Sequence, residues 1–252
     1  VSYSQGFKSG GWDMRGDAFL TPQTVNGYDP ETVDTWEVGL KGTAFDRRLS
    51  FSSALFHSAY EDQQITSQAV ATPPATGVAS IVDNIGSSTI WGAEFEGAAF
   101  LTDNLTANFA VGYLHAEFDE FITFVTGAPV DISATRVFQN SPEWSNFLSV
   151  TWRHDLAGGE LRVTPSISYR SAFHLFEAVD PVLDQDGYSL VDLGVIWDAP
   201  GERYQIGVFG RNLTDEEYRI GGYAFPGATF NNSITAFYGP PRTFQVQLKV
   251  EF

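Results

Sequence analysis

Cysteine is absent from the 252 residues, which removes disulfide frameworks, thiolate metal sites and thiol nucleophiles together. Positive charge is scarce as well. The 14 Lys and Arg stand against 31 Asp and Glu, a net charge of -17, so little is available to neutralise phosphates and no nucleic-acid partner is expected. No run approaches the ~20 consecutive apolar residues of a membrane helix, and residues 1–12 lack the basic start and apolar middle of a signal peptide. Charged residues of both signs reach only 18%, low for a surface held in water. A transmembrane β-barrel stays open to such a chain, because it crosses a bilayer with strands of ~10 alternating residues that a search for helices misses.

What is abundant is aromatic residues, at 15%, glycine, at 24 residues, and period-two alternation. Phe244, Val246, Leu248, Val250 and Phe252 fall on one face of a strand, with Thr243, Gln245, Gln247, Lys249 and Glu251 on the other. Leu105, Ala107, Phe109, Val111 and Tyr113 repeat the pattern against Thr106, Asn108 and Gly112, as do Leu161, Val163, Ile167 and Tyr169 against Arg162, Thr164, Ser166, Ser168 and Arg170. The alternation predicts an all-β chain of about ten antiparallel strands, over 1–8, 34–44, 49–65, 81–101, 105–122, 145–154, 160–172, 188–198, 203–213 and 241–252, with ends good to ~2–4 residues.

The connections alternate in kind. Asp46-Arg47-Arg48, Thr102-Asp103-Asn104, Leu156-Ala157-Gly158-Gly159 and Pro200-Gly201-Glu202 are tight turns, whereas 9–33, 66–80, 123–144, 173–187 and 214–240 are long. Outer-membrane barrels have this rhythm, with short periplasmic turns and long extracellular loops. A soluble β-sandwich also alternates, but its turns come every ~8–12 residues without a long and short class. Phe45, Phe100, Trp152, Trp197, Tyr204 and Phe252, near strand ends, suit the aromatic belts at bilayer interfaces.

Several stretches carry a resemblance. Gly210-Arg211-Asn212-Leu213-Thr214-Asp215-Glu216-Glu217-Tyr218, then Tyr238-Gly239-Pro240-Pro241-Arg242-Thr243-Phe244 and an alternating strand ending in Phe252, resemble the closing segment of TonB-dependent receptors. Upstream, Ser4-Gln5-Gly6-Phe7-Lys8, Trp36-Glu37-Val38-Gly39-Leu40-Lys41, Trp91-Gly92-Ala93-Glu94-Phe95-Glu96-Gly97 and Asn140-Ser141-Pro142-Glu143-Trp144 are similar to that family's mid-barrel strands. The resemblance implies a transporter of a Gram-negative outer membrane taking up a scarce nutrient, most often a ferric siderophore, and no enzyme. Its barrels have ~22 strands around a plug. The chain would then be the C-terminal part of such a barrel, with signal peptide, TonB-contact segment and plug domain outside it. Implied partners are membrane lipid, that plug domain, the TonB complex, a small-molecule ligand and the barrel-assembly machinery, for which Phe244, Val246, Leu248, Val250 and Phe252 match the family's terminal recognition strand.

Glu37, Lys41, Glu94, Glu96, Arg153, Arg162, Arg170 and Arg211 fall on the polar face, where they would line the lumen and meet a plug, or pair across strands. Trp12, Arg15, Tyr28, Arg136, Phe138, Tyr218, Arg219, Tyr223 and Phe225 are the candidate ligand contacts, since loop aromatics with cations suit an anionic, ring-bearing ligand. No cofactor and no metal site is expected: His57, His115, His154 and His174 have no ligand spacing, and the loop from Asp180 to Gly187 lacks the terminal Glu of a calcium loop. His174 shares that loop with Asp180, Asp184 and Asp186, which keeps open a small self-standing barrel acting as a rim protease or passive pore.

Overall fold

The computed structural model describes residues 1–14, 22–70, 78–125, 128–225 and 233–250. Thirteen strands are formed: β1 (Ser2–Lys8), β2 (Glu31–Ala44), β3 (Leu49–Val70), β4 (Val78–Thr102), β5 (Leu105–Val125), β6 (Ala128–Asp131), β7 (Trp144–Leu156), β8 (Gly159–Arg170), β9 (Tyr188–Asp198), β10 (Tyr204–Arg211), β11 (Arg219–Phe225), β12 (Ser233–Tyr238) and β13 (Thr243–Val250). Ten of them make one antiparallel meander in the order β1-β2-β3-β4-β5-β7-β8-β9-β10-β13, with β6 attached to β5, while β11 and β12 pair separately. The ten predicted strands are the ten of this path. The tight turns at 45–48, 103–104, 157–158 and 199–203 all fall at one end of the sheet and the long connections at the other. Positive φ at Phe45, Asp46 and Arg47, and at Ala157 and Gly158, reverses the chain within a few residues.

Cross-strand register fixes the two faces. Val38 pairs with Leu55, Leu55 with Ala93, Ala93 with Tyr113 and Tyr113 with Trp144. Farther along, Val163 pairs with Val195, Val195 with Val208 and Val208 with Val246. This apolar face is uncovered: Leu55 is 61%, Val208 45% and Val246 75% exposed. A sandwich would cover it with a second sheet. The exposed surface of 16098 Å² also exceeds the roughly 11,000 Å² of a compact soluble chain of this mass. Membrane barrels turn a face of this kind to lipid.

Aromatic rings band that face at both ends. Toward the long loops run Tyr3 on Trp36 at 4.8 Å, Trp91 by Tyr113 at 5.4 Å and Tyr113 by Trp144 at 4.9 Å. Toward the short turns Trp152 stacks on His154 at 5.1 Å and Trp197 meets Tyr204 at 6.1 Å. Trp144 and Trp152 lie on one strand about 26 Å apart at 3.3 Å per residue, which after strand tilt is on the order of the ~25 Å apolar band of a membrane barrel.

Some expectations are corrected. Of the predicted loop 66–80, the described residues are strand: β3 runs on to Val70 and β4 begins at Val78. The segment 123–144 contains β6, and 214–240 contains the β11–β12 hairpin. Strands therefore persist past the end of the alternating pattern. Phe100 pairs with Thr106 next to a register shift, which puts it on the polar face rather than in an aromatic belt. Phe252 lies outside the described residues.

Candidate functional site

The polar face carries all eight predicted lumen residues. Glu37 pairs with Phe56, Lys41 with Ser52, Ser52 with Glu96, and Arg211 with Thr243. One row crosses the sheet as Ala54, Glu94, Gly112, Ser145, Arg170 and Tyr188. Near the short turns Arg153 sits directly opposite Arg162. Arg162 is neutralised by Asp198 at 2.5 Å and Glu160 at 3.6 Å, and Gln205 donates to the other Asp198 oxygen at 2.6 Å. Among the described residues Arg153 reaches only the Thr106 hydroxyl, at 3.4 Å. Arg211 lies 3.4 Å from Asp192.

At the long-loop end, segments 132–143, 171–187, 212–225 and 233–242 are knitted into one body. Phe173, Leu175, Leu183 and Tyr188 form its buried core, with Phe176, Leu190, Tyr218 and Ala236 packed around it. Val137 N–H donates to Glu177 O and Asn140 N–H to His174 O, joining the first two segments. Gln185, buried, accepts the Arg219 amide at 2.7 Å, joining the second to the third. His174 Nδ1 lies 2.7 Å from Asp184, so this pair braces the loop from within.

The closing motif is a clasp. Buried Asn212, at φ +48°, donates to Glu216 O at 2.8 Å and Pro240 O at 3.1 Å, and accepts the Glu216 amide at 2.8 Å. Its own amide donates to Asp192 at 2.8 Å. Gly239 lies so close beneath Tyr218 that an added Cβ would stand 2.0 Å from the ring. These polar hubs, Asn212 and Gln185, were not singled out as site residues from sequence. Nor were Gln64 and Asn84: Gln64 donates to Lys8, Ser9 and Asp29 carbonyls, and Asn84 to Asp29 and Asp62, which ties Lys8, Ser9 and Asp29 to the β3–β4 hairpin.

Most candidate ligand contacts are engaged within the loops. Arg136 lies over the Phe121 ring at 5.4 Å, and Phe138 stacks on Phe118 at 4.3 Å. Tyr218 stacks on Tyr188 at 4.7 Å; burial raises its hydroxyl pKa, followed by Tyr188 and Asp192, against a lowering by Arg170. Arg219 donates to Asp184 O at 2.9 Å. Trp12 packs on Gly27 and donates to Val25 O at 3.4 Å, beside the Gly11–Tyr28 bridge. Tyr223, 55% exposed, meets Phe237 edge-on at 5.7 Å. Phe225 ends β11 opposite Ser233, and Arg15 lies outside the described residues.

An apolar outer face, a polar inner row and knitted loops at one end are the features of a receptor barrel. The sequence model of a family described as TonB dependent receptor-like, beta-barrel matches residues 1–213. The chain belongs to this family. TonB-dependent receptors are transporters and not enzymes. Among solved structures, the chain is similar to the ferric yersiniabactin uptake receptor FyuA from Yersinia pestis, with a TM-score of 0.73 and 21% identity over 99% of this chain and 34% of that one. It is also similar to the siderophore receptor PiuA from Acinetobacter baumannii, at 0.68 and 20% identity over 98% and 32%. The ferric-catecholate import receptor Fiu from K12 E. coli gives 0.66 and 17% over 99% and 32%. The chain thus spans about a third of the length of these TonB-dependent receptors, and at such identity the likeness is one of fold.

Proposed function

We propose that the chain forms the C-terminal strands of an outer-membrane receptor that takes up a scarce nutrient, a ferric siderophore, under energy delivered through TonB. The observation that carries this reading is the pairing of a lipid-suited outer face with a polar inner row, in a chain whose family is one of nutrient receptors. Loops at the long-loop end face outside, the short turns face the periplasm, and the eight inner charges face the lumen and its plug domain. The row Phe244, Val246, Leu248 and Val250 on the outer face of β13 is where the barrel-assembly machinery engages. A siderophore is favoured because FyuA, PiuA and Fiu are each described as receptors for iron carriers. A structural neighbour described as a copper transporter, OprC, makes another metal carrier the second reading.

The test is growth. A Gram-negative host without its own siderophore receptors, expressing the full-length protein, is fed single ferric siderophores under iron limitation. Growth that disappears when TonB is deleted supports the reading. Growth unaffected by TonB overturns the TonB-driven reading, and growth on none of the ferric siderophores overturns the iron assignment.

A further inference from the structure

Above the outer row of aromatic rings the sheet forks. β4 and β5 are paired from Thr102 and Leu105 as far as Gly86 and Phe121. Beyond that point β4 stays with β3 out to Val78, whereas β5 turns to β6 through Ile122–Val125. Asp131 fixes the turn by accepting the Phe121 amide at 3.1 Å, while Phe121 O accepts the Ile132 amide at 2.9 Å. The edge of β4 that lower down bonds to β5 is therefore bare from Val78 to Asn84 among the described residues. Its sheet neighbours on either side, β3 and β5, both belong to this chain, so a strand beyond either end of the sheet does not complete it.

Bare edges are normally blunted by charge, by proline or by a covering segment. From Val78 to Val82 there is neither charge nor proline. Charge gathers instead at the base of the fork, and it is of one sign. Asp83 lies there on β4, and the exposed Glu117, Asp119 and Glu120 on β5. Glu117 opposes Thr89 and Glu120 opposes Ser87, positions in step with Trp91 on the outer face of the sheet, so both sit on the side turned away from the lumen. Glu117 has His115 at 3.6 Å and Asp119 the Thr89 hydroxyl at 2.8 Å. Residues 49–135, which contain β3 to β6, hold no Lys or Arg.

We propose that the bare edge of β4 takes up an extended segment of a partner polypeptide, which adds as a strand along Val78–Asn84 and brings Lys or Arg residues to Asp83 and Glu120 at the fork. Main-chain hydrogen bonds supply the attachment, and the carboxylates select a basic segment and set its direction. The same carboxylates disfavour an anionic lipid headgroup, and they disfavour a second copy of this chain, whose net charge is -17. The inference goes beyond nutrient uptake and rests only on the outward orientation of the long-loop end given above.

The probe is an amidated octapeptide of alternating threonine and valine opened by two lysines, added to purified full-length receptor, with amide exchange across residues 78–84 as the readout. A strand added antiparallel to β4 puts those lysines at the fork, so exchange should slow. Each exposed ion pair is worth up to about fivefold. Replacing both lysines by glutamate, or combining Asp83→Asn with Glu120→Gln in the receptor, should therefore weaken binding on the order of tenfold. Only one edge of an added strand faces β4, so of two peptides N-methylated at the threonines or at the valines, one should bind and the other should not. No slowing by the lysine peptide, equal slowing by its glutamate form, or equal binding of the two methylated forms overturns the strand addition and leaves the uptake reading intact. Slowing that follows receptor concentration without peptide assigns the edge to a second copy and overturns the partner proposed. Peptide that binds purified receptor but not intact cells overturns the outward orientation, and with it the external partner.

Discussion

Asp215 accepts the backbone amide of Arg242 at 2.9 Å and faces its guanidinium at 3.4 Å, so the excursion from 212 to 242 leaves and rejoins the sheet at one point. Asn212 seals the same point with four hydrogen bonds to Asp192, Glu216 and Pro240. Asn212→Ala removes the three bonds its side chain makes to Glu216 and Pro240, each worth about 0.5–1.5 kcal/mol. The expected outcome in the full-length receptor is faster limited proteolysis within 212–242 while the remaining strands stay protected.

Asp198 holds apart two arginines that the register sets face to face. With Asp198→Asn, Arg162 keeps only Glu160 at 3.6 Å while Arg153 remains opposite. The barrel should lose about 1–3 kcal/mol in urea unfolding, and raised salt should restore part of it by screening the two cations. A loss that salt does not relieve would contradict repulsion as its cause.

The two faces of the sheet should respond differently to charge. Val208→Arg, on the apolar face, is expected to cost about 2–4 kcal/mol in folding into lipid bilayers. Gln247→Arg, paired with Gly207 on the polar face of the neighbouring strand, should cost little. Equal costs would mean that the apolar face is not in contact with lipid.

The β5–β6 hairpin should open in acid. Asp131 accepts the amides of Ser133 at 2.9 Å and Phe121 at 3.1 Å, and these bonds hold its carboxyl below the ordinary carboxylate range. A folded pKa below the unfolded one gives a contribution that is present above the unfolded pKa and lost as pH falls through the folded one. Amide exchange at Phe121 and Ser133 should accelerate below about pH 4, the ordinary carboxylate range, and Asp131→Asn should remove that dependence.

The ten sheet strands, their two faces and the sorting of short turns from long loops were legible in the sequence because one face of each strand is apolar and the other polar. Where that contrast ends the signal ends with it. From Gln63 to Gln68 only Ile65 is apolar, yet the strand continues. The site was less legible. The eight inner charges follow from parity alone, but the work of Asn212, Gln185 and Asn84 depends on carbonyls brought together from distant segments, which no local pattern announces. Arg136, Phe138 and Tyr218 were singled out for their chemistry, and that same chemistry is taken up by Phe121, Phe118 and Tyr188.

The β3–β4 hairpin gives the receptor a mast. Above the register shift between Tyr60 and Gln63, where Asp62 turns to φ +53°, β3 and β4 stay paired with each other from Gln64 to Val70, with no third strand beside them among the described residues, about 20 Å at 3.3 Å per residue. At its foot Asn84 and Gln64 lash it to residues 8, 9 and 29. A tug at the top is felt at the foot, so whatever grips this spar from outside also pulls on the first loop, whose base is closed by Trp12 and Tyr28.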